Sequence, residues 1–185
     1  MRAETFPVLE SKLVVLRKLL LSDAQKIVKL INFNISKYLF EVPYPYSLKH
    51  AKNFIQTAHH DFNSRRAIHF GVDYKGNTQK ENLEFVGIIS IKKIDLLKKR
   101  AIIGYWFGQQ YWGKGIATEC VRMTINYAFS PDLGMKNLAA YVFIENSASI
   151  RVLEKNGMSR IGEISEYHNL SKKYKKSLIY NLNKI

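Results

Sequence analysis

The sequence has little with which to form a covalent or metal staple. Its 185 residues include one cysteine, Cys120, so no internal disulfide can form, and no Cys/His spacing matches a zinc site. Proline is scarce at four, and the ten glycines follow no period, which excludes collagenous and low-complexity chains. No apolar run reaches the roughly 18–20 residues of a membrane span, and Met1-Arg2-Ala3-Glu4 opens no signal-peptide pattern. These absences predict a soluble, cytoplasmic protein with no metal and no membrane partner. Acids are also few, 15 Asp+Glu against 29 Lys+Arg, for a net charge of +14. What remains is a globular composition, 46% hydrophobic and 12% aromatic, which suffices to bury a core. Without a linker or an internal repeat, the length predicts one domain over 1–185.

The positive surplus has two readings. Of the cations, 21 are Lys and 8 are Arg, beside 13 Asn and 19 Ile. A nucleic-acid surface favours Arg for bidentate contacts, whereas a chain rich in Lys, Asn and Ile also follows from genome composition. Five cations share 92–100 with Asp95 alone, and five lysines share 169–185 with no acid. Both stretches read as solvated hairpin connections. A basic RNA-binding module using these lysines with Tyr174 and Tyr180 is an alternative, although no RNA-binding motif accompanies them.

Hydrophobic spacing predicts mixed α/β structure. A strand over 12–19 precedes Ser22-Asp23-Ala24-Gln25, which has capping-box spacing, and Ile27, Leu30, Ile31 and Ile35 then share one helical face. After an aromatic loop over 38–46, Ser47 caps a second helix with Ala51, Phe54, Ile55, Ala58 and Phe62 in one stripe. The period then changes to strands at about 66–73, 84–94 and 100–107, an antiparallel meander with turns such as Lys75-Gly76-Asn77. A helix over 114–129, a strand over 137–144, a short helix capped by Asn146, and strands near 158–167 and 176–182 complete the chain.

The most informative stretch is the glycine turn between the 100–107 strand and the 114–129 helix. Glycines let a backbone approach a ligand closely, and the free N–H groups of a helix start attract phosphate. Gly108 to Lys114 fits the first seven P-loop positions, but Gly115 replaces the magnesium-ligating Ser or Thr. A dinucleotide fingerprint fails as well, because Thr118 stands at the third glycine and the preceding strand belongs to a meander.

Gln110-Tyr111-Trp112-Gly113-Lys114-Gly115 instead resembles the Q/R-x-x-G-x-G/A motif of the GNAT superfamily of acyl-CoA-dependent N-acetyltransferases. The run from Ile103 to Glu119 is similar to the branch containing the bacterial ribosomal-protein-alanine N-acetyltransferases. So is the N-x-x-S-x-x-V-L-E-K-x-G-M segment beginning at Asn146, and Pro43-Tyr44-Pro45-Tyr46 resembles that branch's acceptor loop. The resemblance implies an α/β (α+β) GNAT fold. This is a single mixed, mostly antiparallel twisted sheet of about seven strands with about four helices, splayed between strands four and five for acyl-CoA. It implies acetyl-CoA as co-substrate, held by Trp106, Phe107, Gln110, Gly113, Lys114, Gly115, Ile116, Ala117, Thr118, Asn146, Ser149 and Lys155. Backbone N–H groups from Gly113 to Thr118 would take the pyrophosphate, and a main-chain N–H near Phe107 would face the thioester oxygen. Tyr44, Glu41 and Tyr105 would touch the acceptor.

Amide formation needs a neutral amine and a proton for the leaving thiolate. Leu153 stands where many superfamily members carry an acidic tyrosine, so Ser149 is the candidate proton donor. Relatives often carry a glutamate before the G-Y-W segment, but Ile102 stands there, which leaves Glu41 and His69 as candidate bases. Glu119 reads as a structural partner, and Cys120, Trp106, Tyr111 and Trp112 as core or pocket wall. A poor base suits α-amino groups, which titrate near ~7.7–8, better than lysines or polyamines near ~10.4. The expected acceptor is therefore a protein N-terminus, such as that of a ribosomal protein, which allows ribosome or RNA proximity. A small amine (antibiotic, polyamine or metabolite) is the alternative. The expected assembly is a monomer or homodimer.

Overall fold

The computed structural model describes residues 5–76, 83–168 and 170–184. Met1-Arg2-Ala3-Glu4, Asn77 of the predicted turn, and the two ends of the 169–185 lysine run lie outside the described residues. The short β1 (Leu9–Glu10) pairs with β2 (Val14–Lys18), which turns Val14 and Leu16 into the core.

The first helix departs from its expected form. In α1 (Asp23–Leu30), Ser22 makes no side-chain cap. Its neighbour Asp23 is drawn instead to Arg17, which spans Asp23 at 2.7 Å and Asp73 at 2.5 Å. The helix then stops, because Ile31 is extended and the Asn32 side chain starts the new one-turn helix α2 (Phe33–Ser36). Ile27, Leu30, Ile31 and Ile35 are all buried, yet from two helices rather than one. The Ser47 cap does form on α3 (Leu48–Asn63), reciprocated by His50, and Ala51, Ile55 and Ala58 face the core.

The meander is β3 (Ile68–Tyr74), β4 (Glu84–Asp95) and β5 (Arg100–Phe107), each antiparallel to the next. It is followed by α4 (Ile116–Phe129), β6 (Asn137–Phe143), α5 (Ser147–Lys155), β7 (Ser159–His168) and β8 (Lys173–Asn183). The strands join in one eight-stranded sheet ordered β1-β2-β3-β4-β5-β6-β8-β7. Among the described residues, β1 and α2 are the additions to the expected seven strands and four helices. Phe54 of α3 meets His69 on one face, whereas Tyr127 of α4 meets Phe70 on the other, so the sheet is covered on both sides.

One pairing positions the site. β5 and β6 run parallel and pair only from Arg100–Asn137 to Ile103–Ala140. Beyond this register the strands separate, and the rest of β5 has no paired strand on that side among the described residues. This is the splay expected between the fourth and fifth strands.

Candidate active site

Backbone direction explains what the open side of β5 offers. Gly108 N–H donates to Val86 O of β4 at 2.9 Å. Alternation along a strand then turns the N–H groups of Tyr105 and Phe107 away from β4, toward the gap. Past Phe107 the chain makes a single 3₁₀ turn, Gln109–Tyr111, which is pinned from two sides. Trp112 Nε1 donates to Phe107 O at 2.8 Å, and the Tyr111 hydroxyl donates to Glu84. Gly113 and Gly115 follow, both at φ +77°, and a Cβ on either would meet nothing within 4 Å. These glycines are thus required by backbone conformation and leave open space in front of the turn. Gly115 caps α4 with no side-chain hydrogen bond, so the first N–H groups of the helix face that space.

The gap belongs to a cavity of about 1360 Å³. On the α4/α5 side it is lined by Gly113, Gly115, Ile116, Ala117, Thr118, Asn146, Ser149 and Lys155, with Arg151 beside them. The Asn146 side chain accepts from Ser149 N–H at 3.2 Å, and this cap fixes the start of α5. Tyr105 crosses from β5 and donates its hydroxyl to Ser149 O at 3.3 Å. Burial pushes its phenol up to about 12, so Tyr105 keeps its proton at neutral pH. On the α3 side the lining includes Glu41, His69, Ser90, Lys92 and Trp106, while Phe107 lies on the other face beside Tyr105.

The fold therefore brings together most of the predicted site residues. Three stand apart from the cavity lining. Lys114 places Nζ over the rings of Tyr111 and Tyr74, at 5.5 and 6.0 Å. Tyr44 meets Phe33 edge-on at 5.8 Å, and Gln110 is exposed. Glu119 binds Arg122 at 2.7 Å, and Cys120 is core.

His69 is held among polar neighbours. Its Nδ1 lies 2.8 Å from Ser90 Oγ, and Nε2 faces Asp61 at 3.7 Å. Burial first, and Lys92 second, push the ring down to about 4, against the pull of Asp61 and Glu41. The imidazole is therefore neutral at physiological pH, with Nδ1 hydrogen-bonded to Ser90. In the unfolded chain it titrates near ~6.5, so between the two values the unfolded chain holds more protons and stability rises with pH. Conformational stability should fall by up to ~3 kcal/mol as pH drops from about 6.5 to about 4. Guanidinium unfolding at stepped pH measures this, and His69→Gln should flatten that limb.

Five charged residues of the cavity escaped the sequence reading, Lys92, Lys93, Glu145, Arg151 and Glu166, and two of them stand out. Lys92 stands in a cation run that reads as solvated, yet it turns inward beside His69. Glu166 lies on β7, lines the cavity, and has an Oε2 shielded from solvent with no hydrogen-bond partner among the described residues. Its signal was the two-residue spacing from Ile164, which also lines the cavity and puts an acid on an apolar face.

Comparison with known proteins places this geometry. The family described as "Acetyltransferase (GNAT) domain" matches residues 14–159. The uncharacterized N-acetyltransferase YoaA of Bacillus subtilis (strain 168) is 29% identical over 163 residues, covering 88% of each chain. The spermidine N(1)-acetyltransferase of Escherichia coli (strain K12) is 26% identical over 147 residues, covering 80% of this chain and 73% of that protein. Among solved structures, RimL, a ribosomal L7/L12 alpha-N-protein acetyltransferase in complex with coenzyme A, superposes with a TM-score of 0.83. It is 18% identical, covers 96% of this chain and 98% of its own, and attests the fold. A splayed β5/β6 pair that opens onto an uncapped glycine turn, in a sequence matched over 14–159, identifies the chain as a member of the GNAT acetyltransferase family and an N-acetyltransferase.

Proposed function

We propose that this chain works as one domain and transfers acetyl from acetyl-CoA to the α-amino group of a protein N-terminus, with a ribosomal protein as the candidate acceptor. Acetyl-CoA supplies the activated acyl group as a thioester. The observation that carries the reading is the unpaired edge of β5 leading to the open start of α4. Backbone N–H groups from Gly113 to Thr118 suit a pyrophosphate, because they are donors at the positive end of a helix dipole. Lys155 and Arg151, on the same wall, add positive charge. The N–H groups of Tyr105 and Phe107 would offer an extended pantetheine arm the partners that β6 has withdrawn, and Phe107 N–H would serve the thioester oxygen, where negative charge develops. Asn146 holds α5 in place, and Ser149 Oγ donates a proton to the departing thiolate. The neutral amine would attack the thioester carbonyl directly, forming the C–N bond as the C–S bond breaks, and the proton its nitrogen sheds would restore the one Ser149 gives to sulfur.

The acceptor class follows from the state of the base. Pushed down to about 4, His69 is a weak base, which supports an acceptor amine that is partly neutral on its own. An α-amino group meets that need, while lysine and polyamine nitrogens near ~10.4 do not. The net charge of +14 and the cavity cations Lys92, Lys93, Arg151 and Lys155 also oppose a polycation. Glu41, exposed on the 38–46 loop, borders the acceptor entrance with Tyr44 nearby.

Ser149→Ala tests the proton-donor role. Turnover should fall by about 100-fold, the usual scale for losing a general acid, while CoA affinity stays within about twofold. Single-turnover kinetics with CoA titration separates the two. Equal losses of turnover and affinity would make Ser149 a binding residue.

A further inference from the structure

We propose that His168 is a positioning residue of the acceptor site, which ties the 38–46 loop to the β7–β8 hairpin and so fixes the width of the acceptor entrance. Its role rests on the acetyltransferase reading and on that loop bordering the acceptor. Ile164, Glu166 and His168 alternate along one face of β7. The first two line the cavity, and His168 ends the row in a buried place, 1% exposed. Its hydrogen bonds fix its tautomer. Ser171 N–H meets Nδ1 at 3.3 Å, and a backbone N–H can only donate, so Nδ1 is the acceptor and Nε2 carries the proton. Ser171 Oγ, 2.9 Å from Nδ1, donates to the same lone pair. Nε2–H then donates to Leu39 O at 3.3 Å, and the imidazole bridges two segments 129 residues apart in the chain.

The bridge crosses the split in the sheet. Leu39 lies between β2 and β3, in the half of the sheet that ends at β5, and His168 belongs to the half that begins at β6. Among the described residues, strand pairing joins the halves only from Arg100–Asn137 to Ile103–Ala140. Aromatic rings support the bridge. Phe143, at the end of β6, meets the His168 ring edge-on at 5.2 Å and the Phe40 ring of the loop at 4.3 Å. Ring packing draws the two walls together with little directional control, whereas a hydrogen bond to one carbonyl sets where the loop stops. Leu39 and Phe40 line the cavity from the loop, and Ile164, Glu166 and Tyr167 line it from the hairpin, so this contact sets their separation.

The test compares His168→Gln with His168→Asn. The Gln amide nitrogen reaches as far as Nε2 and keeps the bond to Leu39 O, whereas Asn reaches only the Nδ1 position. With a peptide bearing a free N-terminus, acceptor KM should rise about tenfold in His168→Asn, the scale of one lost hydrogen bond, and stay within about twofold of wild type in His168→Gln. In both variants kcat and CoA affinity should stay within about twofold of wild type. Hydrogen exchange of the CoA-bound proteins reads the same tie without an acceptor. The amides of Tyr38 and Leu39, which donate to Ile35 O and Ser36 O, should exchange about tenfold faster in His168→Asn alone, with β3 to β5 unchanged. Equal KM and equal exchange in the two variants overturn the assignment, as does a loss of kcat or CoA affinity that matches the rise in KM. A His168→Asn protein that does not fold makes the residue structural and overturns it as well. If wild type acetylates no peptide, the acceptor reading fails, and the exchange comparison decides the tie by itself.

Discussion

Replacing Gly115 by Val should weaken CoA binding about 100-fold or more while leaving the protein folded. Gly115 sits at φ +77°, in the left-handed region, where a β-branched residue is a genuine outlier. Sterics with neighbours are not at issue, since a Cβ there would meet nothing within 4 Å. The cost is purely conformational, on the order of 1–3 kcal/mol, and the chain can relieve it only by rotating the peptides on either side. Those peptides carry the N–H groups proposed to meet the phosphates. Misdirecting two charge-assisted hydrogen bonds, each worth about 1.5–3 kcal/mol, gives at least ~3 kcal/mol, or about 100-fold in affinity. Calorimetric titration with CoA measures the loss, and circular dichroism confirms that the fold persists. Undiminished affinity would show that the turn does not hold the pyrophosphate.

The second large effect is on stability. Arg17→Met should cost about 3–5 kcal/mol, because it strands two carboxylates in the interior. Asp23 and Asp73 side chains are 1% and 8% exposed, and Arg17 bridges them at 2.7 and 2.5 Å. Burial alone would raise Asp23, but the Arg17 hydrogen bonds, the Leu20 N–H and the Arg17 charge outweigh it and hold the group below its ordinary value. The sign follows from linkage. A carboxyl depressed in the folded state contributes stability that is fully present above the unfolded value near ~3.9 and is lost as pH falls through the lower folded value. Without Arg17, burial dominates and Asp23 titrates upward, so acid unfolding should begin at a higher pH. Urea unfolding at neutral pH and an acid titration of both proteins measure these effects. Wild-type stability in the variant would mean that the bridge is energetically neutral.

Legibility from sequence followed the range of the interactions involved. Strands of the meander and the helices after Ser47 and Asn146 were readable, because their apolar periods and caps are local. The glycine turn was readable for the same reason, as its φ values need only glycine and its donors are backbone. Ser22 misled because Asp23, one residue on, is claimed by Arg17 and, through it, by Asp73 of β3. No local pattern encodes that competition. His69 was legible as a candidate base, but its surroundings were not, because Ser90 and Lys92 come from the neighbouring strand more than twenty residues on. Glu166 and Lys92 were hidden by the reverse error, since a charge in a hairpin reads as solvated until the opposite wall of the cavity is known.

Intact-mass analysis after incubation with acetyl-CoA tests the central claim most directly. The panel holds a peptide with a free N-terminus, an N-terminally blocked peptide with a free lysine, spermidine and an aminoglycoside. One acetyl group should appear on the free N-terminus, at a rate well above that on any other amine. Acetylation of spermidine or the aminoglycoside alone would contradict the acceptor assignment, and transfer to none of the panel would contradict the proposed activity on N-termini itself.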